Sequence, residues 1–302
     1  MPLVGIISKD SSGEEQFQVL GQTVTIILNR MKKQELELCQ AEKYKAIAAS
    51  KNKNLIFDIV ECKDGPDFLI SRAGERLGLD VAAFAYTKRR QAIAKFEIIK
   101  RRFKEYYDQG RLRSCEGINI QLRFREPIMP GPAQIEGEIE ELVDKFETLK
   151  VDRHAWENIN PDSIIGKAPP PFPLGQSGTT RDGSVDWHVQ GLTDFSNIFS
   201  VECGFSVEHG YDFLATYEEI KKRLDEIVLK HDKESFDELA IIAGGPDRSG
   251  EAAFEENYLA ERFVNTWKGK ISEPKNIKRV ALVVWGLDEI HLLYEKNDGH
   301  QS

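Results

Sequence analysis

The sequence predicts an α/β fold in which a mixed central β-sheet is flanked by helices. Short apolar runs such as LIFDIV (55–60), ELAIIA (238–243) and RVALVVWG (279–286) have the length and composition of strands. Between them lie longer segments whose apolar residues recur three and four apart, best seen at Ala92, Phe96, Ile99, Phe103 and Tyr106. A third observation makes the sheet mixed. GPDFLISRAGERLGLDVAAF (65–84) reads as an antiparallel hairpin, whereas the later strands alternate with helices, as parallel pairing requires.

Taken in order, residues 19–28 (VLGQTVTIIL) suit a strand or a helix start, because neither period dominates. Residues 30–49 favour a helix, so residues 1–50 are expected to form an N-terminal helical region. The strand LIFDIV and the hairpin follow, then an amphipathic helix over 88–107. INIQLRF (118–124) alternates like a strand. Pro127, Pro130 and Pro132 interrupt the chain before a helix whose stripe is Ile135, Ile139, Leu142 and Phe146. Residues 158–190, with APPPFPLGQSGTTRDGS, read as a surface loop in which Trp187 serves as an anchor. Strands at 198–207, 238–243, 279–286 and 288–295 then alternate with helices at 216–231 and 251–267. The expected organisation is one domain over 1–302, carrying a helical and loop insertion at about 108–197.

Composition narrows the function classes. Of 302 residues, 40% are hydrophobic and 30% charged, and no run approaches the roughly 18 apolar residues that cross a bilayer, so no membrane partner is expected. The start, MPLVGIISKDSSGEE, lacks the basic region and apolar run of a secretory signal. The four cysteines are scattered without a C-x-x-C pair, which favours reduced thiols and a cytoplasmic location. The six histidines show no ligand spacing and are assigned surface or core roles. A net charge of −9 excludes a generally basic nucleic-acid coat, yet residues 88–113 hold ten Lys/Arg against three Asp/Glu. That local excess would suit a DNA or RNA backbone, and a solvated helix face accounts for it equally well. Oligomeric state is not fixed, and a homo-oligomer remains open.

The hairpin raises a specific question about charge. With the turn centred on Ala73–Gly74, facing residues have numbers that sum to 147, so Asp67 faces Asp80. Two ionised carboxylates about 5 Å apart repel by roughly 3 kcal/mol at an effective dielectric near 20. A divalent cation relieves that cost, as does a shared proton or a neighbouring Lys or Arg. Asp58, among apolar neighbours in LIFDIV, is a further candidate carboxylate.

Pro66, Asp67 and Phe68, followed by Gly78, Asp80, Val81 and Ala82, resemble the paired strands of the PD-(D/E)xK nuclease superfamily, in particular bacterial nuclease-like proteins whose second strand reads roughly G-I-E-V-T. The resemblance implies a restriction-endonuclease-like fold and a Mg²⁺ or Mn²⁺ ion held by Asp67 and Asp80 for phosphodiester hydrolysis. It also implies a metal-facing carboxylate in the preceding helix, for which Glu42 is the candidate. Ala82 stands where that motif has lysine. The resemblance therefore implies a substitute from the following helix, Lys95 first and Lys88 second, with Arg89, Gln91 and Arg102 beside them to contact phosphate. The alternative is the same fold without catalysis, serving as a binding or assembly module.

Overall fold

The computed structural model describes residues 5–9, 15–25, 31–51, 53–63, 66–126, 128–150, 176–192, 205–248 and 250–296. In chain order these form β1 (Gly5–Lys9), β2 (Glu15–Thr25), α1 (Lys33–Lys51), β3 (Asp58–Cys62), β4 (Phe68–Arg72), β5 (Glu75–Ala83), α2 (Thr87–Asp108), β6 (Ile118–Phe124), α3 (Pro132–Glu147), β7 (Ser177–Thr179) and β8 (Val185–Leu192). There follow β9 (Ser206–Ala215), α4 (Tyr217–His231), β10 (Glu238–Ala243), β11 (Glu251–Ala253), α5 (Phe254–Glu261), β12 (Arg279–Val284) and β13 (Glu289–Glu295). The chain divides into two compact units rather than one domain: residues 1–87 with 214–302, and residues 88–213. The second unit starts earlier than the expected insertion because α2 belongs to it, through contacts such as Phe103 with Phe146.

The first unit holds a six-stranded mixed sheet in the order β13-β12-β10-β5-β4-β3. β3, β4 and β5 form an antiparallel meander, and β5, β10 and β12 run parallel. β10 is buried along its whole length, which is why ELAIIA is a continuous apolar run instead of an alternating one. On one face, Ala41, Tyr44, Ile47 and Ala48 of α1 pack against Phe68, Ile70, Leu79, Val81, Ile242 and Val283. Strand alternation turns Asp80, between Leu79 and Val81, to the opposite face. α4 buries Ile220, Leu224, Ile227 and Val228, and a Thr216–Glu219 capping box starts it. At the strand starts Glu238 is buried between Arg72 and Arg279, with Arg279 Nη1 at 2.7 Å.

The expected N-terminal helical region is corrected. α1 begins only at Lys33, and residues 5–9 and 15–25 pair as an antiparallel hairpin, with β11 added to β2. Long-range pairing thus settles residues 19–25, whose local period was ambiguous, while 26–28 lie outside the described residues.

In the second unit β6 pairs with β9 in parallel and with β8 antiparallel, and β7 extends β8. Ile120, Leu122, Phe124, Val185 and Val189 are buried together with the apolar stripes of α2 and α3. Part of the expected 158–190 loop is therefore sheet. Asp182 organises the turn between β7 and β8, accepting from Thr180 Oγ1 at 2.7 Å and from the Ser184 backbone N–H at 3.1 Å. Trp187 lies in β8 with its ring edge-on to Phe146, and a Cβ at Gly178 would stand only 2.8 Å from that indole. The expected loop at 158–175 and strand at 198–204 lie outside the described residues. The expected helix over 251–267 is shorter, comprising β11, α5 and a π-turn at 262–266. No helix among the described residues is long and apolar enough to cross a membrane.

Candidate functional site

The site grows from the β4–β5 hairpin. Ala73 and Gly74 both have positive φ, 50° and 86°, giving the two-residue turn that matches strand twist. The register Phe68↔Leu79 through Arg72↔Glu75 keeps the sum of 147, so Asp67 comes opposite Asp80 one step further on. Gly78 makes this possible sterically. A Cβ there would lie 2.4 Å from the Ser235 carbonyl and 2.8 Å from the Pro66 ring, which would push the Pro66–Asp67 corner off the sheet. The two carboxyl groups hydrogen-bond each other, and Asp67 Oδ2 also accepts from the Val81 N–H at 3.1 Å.

Only one proton is needed to relieve the pair, and the surroundings decide who holds it. Burial first, then the neighbouring Asp80, raises Asp67 to about 8 from an ordinary 3.8. Burial also pushes Asp80 upward, but the hydrogen bonds and charge from His231 and the hydrogen bond from Asp67 outweigh it and leave Asp80 lowered. Asp67 is thus the neutral partner and Asp80, only 5% exposed, the ionised one. His231 Nδ1 meets Asp80 Oδ2 from the last position of α4.

α1 supplies the remaining charges. Lys33 Nζ lies 3.1 Å from Glu37. Glu37 raises the Lys33 ammonium, with smaller pulls from Asp67 and Asp80. Glu37, Gln34, Leu38, Lys63, Phe68 and Asp67 line a cavity of about 440 Å³.

The other expected site residues fall elsewhere. Glu42 is exposed, and five positions beyond Glu37 it lies about 140° further round the helix. Asp58 is 81% exposed and bridges Lys45 at 3.0 Å, because the apolar neighbours that suggested burial alternate away from it. Lys95 is sealed in the second unit against Glu138 at 2.5 Å, with no exposure, and cannot reach a solvent-borne phosphate there. Lys88 pairs with Glu126, and Arg102 with Glu105 and Glu136. Arg89 is buried and Gln91 is half-buried. Lys104, Arg111 and Arg113 also pair with acids, so much of the basic excess of 88–113 is neutralised locally instead of forming an open patch.

Sequence reasoning missed His231, Lys33 and Glu37. Glu37 is one glutamate among several in α1, and His231 stands 151 residues from Asp80. No local pattern marks either.

No group of three or more His, Cys, Asp or Glu side chains among the described residues converges as a metal cage. Two touching carboxylates nevertheless suit a hard cation that keeps most of its own waters, Mg²⁺ or Mn²⁺, better than Ca²⁺ or Zn²⁺, which want more protein ligands. Cys62 is an exposed free thiol at the edge of the cavity, and burial pushes the Cys115 thiol up to about 12. Comparison with family models, with curated proteins and with solved structures gives no match.

Proposed function

We propose that the first unit is a divalent-metal-dependent hydrolase of nucleic-acid phosphodiesters, centred on Asp67 and Asp80. The single observation that carries this reading is the contact of two carboxyl groups across the hairpin, one ionised and one holding a proton, beside a cavity. Asp67 and Asp80 would hold Mg²⁺ or Mn²⁺, which when bound supplies Lewis acidity and a water of lowered pKa. To act as a ligand Asp67 would release its proton to solvent, whereas Asp80 is already ionised. Lys33, at the mouth of α1 and within electrostatic reach of both acids, takes over from Lys95 as the cation that meets the phosphate. The mixed sheet with flanking helices agrees with the fold that the hairpin resemblance implies.

A second reading has its own observation. Ala82 is buried on the same strand face as Asp80, where a lysine would otherwise stand, so the same fold without catalysis would serve as a binding or assembly module. Calorimetry with Mn²⁺ on the wild type and Asp80→Asn separates these, followed by cleavage assays on single- and double-stranded DNA and RNA with Asp67→Ala as control. Absent Mn²⁺ binding, or equal binding by wild type and Asp80→Asn, removes the metal site. Binding without cleavage of any substrate selects the second reading.

A further inference from the structure

We propose that His231 is a positioning residue of this metal site, holding the Asp80 carboxylate in place beside Asp67. The inference rests on the reading of Asp67 and Asp80 as a cation-binding pair. A lone aspartate can swing its carboxylate through a broad range of χ2, and a cation held by only two protein ligands gains most from fixing them in advance. Asp80 is fixed on both sides: Asp67 touches it from the facing strand, and the Nδ1–H of His231 donates to its Oδ2.

His231 is itself immobilised by the chain that follows it. Asp232, the next residue, accepts from the backbone N–H groups of Lys275, Asn276 and Ile277 at 2.7, 2.8 and 3.1 Å. That clamp pins the C-terminal end of α4, whose start is already capped, so the imidazole comes from a helix tied at both ends. Asp80 is the side-chain hydrogen-bond partner of the His231 ring, which is itself largely buried. A metal-ligating carboxylate held by an outer hydrogen-bond donor is a recurring arrangement, and removing such a donor costs about ten- to a hundredfold in metal affinity.

Mn²⁺ calorimetry on the full chain tests this. His231→Ala is expected to bind Mn²⁺ about ten- to a hundredfold more weakly than the wild type. His231→Asn, whose side-chain amide places an N–H close to the Nδ1 position, is expected to recover most of the loss. His231→Gln carries its donor one bond further out and is expected to resemble alanine, so it replaces His231→Ala if that variant does not fold. A second readout needs no metal: proton NMR of the ion-free protein should show a downfield, slowly exchanging imidazole N–H that vanishes in both Asp80→Asn and His231→Asn. If the wild type binds Mn²⁺ and His231→Ala or His231→Gln binds it as tightly, the positioning role is overturned while the metal site stands. If the wild type binds no Mn²⁺, both fall. Absence of the imidazole resonance at low temperature overturns the hydrogen bond itself.

Discussion

Each unit of this protein places a pair of charged groups at its sheet, and the two pairs are opposite in kind. In the second unit Lys95 and Glu138 are sealed together, with Ser184 donating to Glu138 at 2.8 Å and the ammonium over the Phe124 ring. Opposite charges there offset one another, so the pair needs no added ion for charge balance. In the first unit two acids meet, Asp80 ionised and Asp67 kept neutral by a proton, and Asp67 borders a cavity. A fold keeps the first arrangement for packing. The second costs stability unless something binds, which is the physical reason to look for function there.

The comparison can be broken most forcefully at the closed pair. Lys95→Met leaves the Glu138 carboxylate buried without its cation, and chemical denaturation should show a loss of about 3–5 kcal/mol. Adding Glu138→Leu should restore most of it, and neither change should alter Mn²⁺ binding.

Asp67→Asn should act in the reverse sense. Between about pH 4 and pH 8 folded Asp67 keeps a proton that the unfolded chain releases, so its contribution falls as pH rises through that window and is flat above it. Asparagine copies the protonated form at every pH. Thermal denaturation should therefore find the variant equal to wild type near pH 4 and more stable by about 2 kcal/mol near pH 9, a value discounted for the partial exposure of Asp67. Stability gained with Mn²⁺ binding lost is the signature of a site held ready at a cost.

Lys33→Met should lower the cleavage rate about tenfold under saturating Mn²⁺, whereas Arg102→Met should leave it unchanged. The smallest effect is expected at Ala73, whose φ of 50° is unfavourable for a residue with a Cβ. Ala73→Gly should raise stability by about 0.5–1 kcal/mol without moving the acids, measurable by denaturant midpoint.

What could be read in advance followed from interactions close in sequence. The hairpin register is set by a two-residue turn, so the meeting of Asp67 and Asp80 was legible from residues 65–84 alone. The apolar stripes of α2 and α3 were legible for the same reason. What escaped depended on distant partners. Lys95 looked like the edge of a stripe because nothing near it in sequence announces Glu138, 43 positions on. Glu37 and Glu42 differ only in which way α1 turns them. His231 acquires its role from the Asp232 clamp and a strand 151 residues away. The N-terminal hairpin was missed because β1 and β2 are defined by pairing, not by their own period.

The order of synthesis gives the sheet one further property. β5 lies between β4 and β10, yet β10 leaves the ribosome only after the whole of the second unit. At about 5–20 residues per second, His231 follows Asp80 by roughly 8–30 s. During that interval the nascent meander exposes one raw edge of β5, and the acids have no imidazole beside them. Translation speed through residues 88–213 therefore sets how long a sticky, incomplete half-sheet must survive before its second half arrives to cover it.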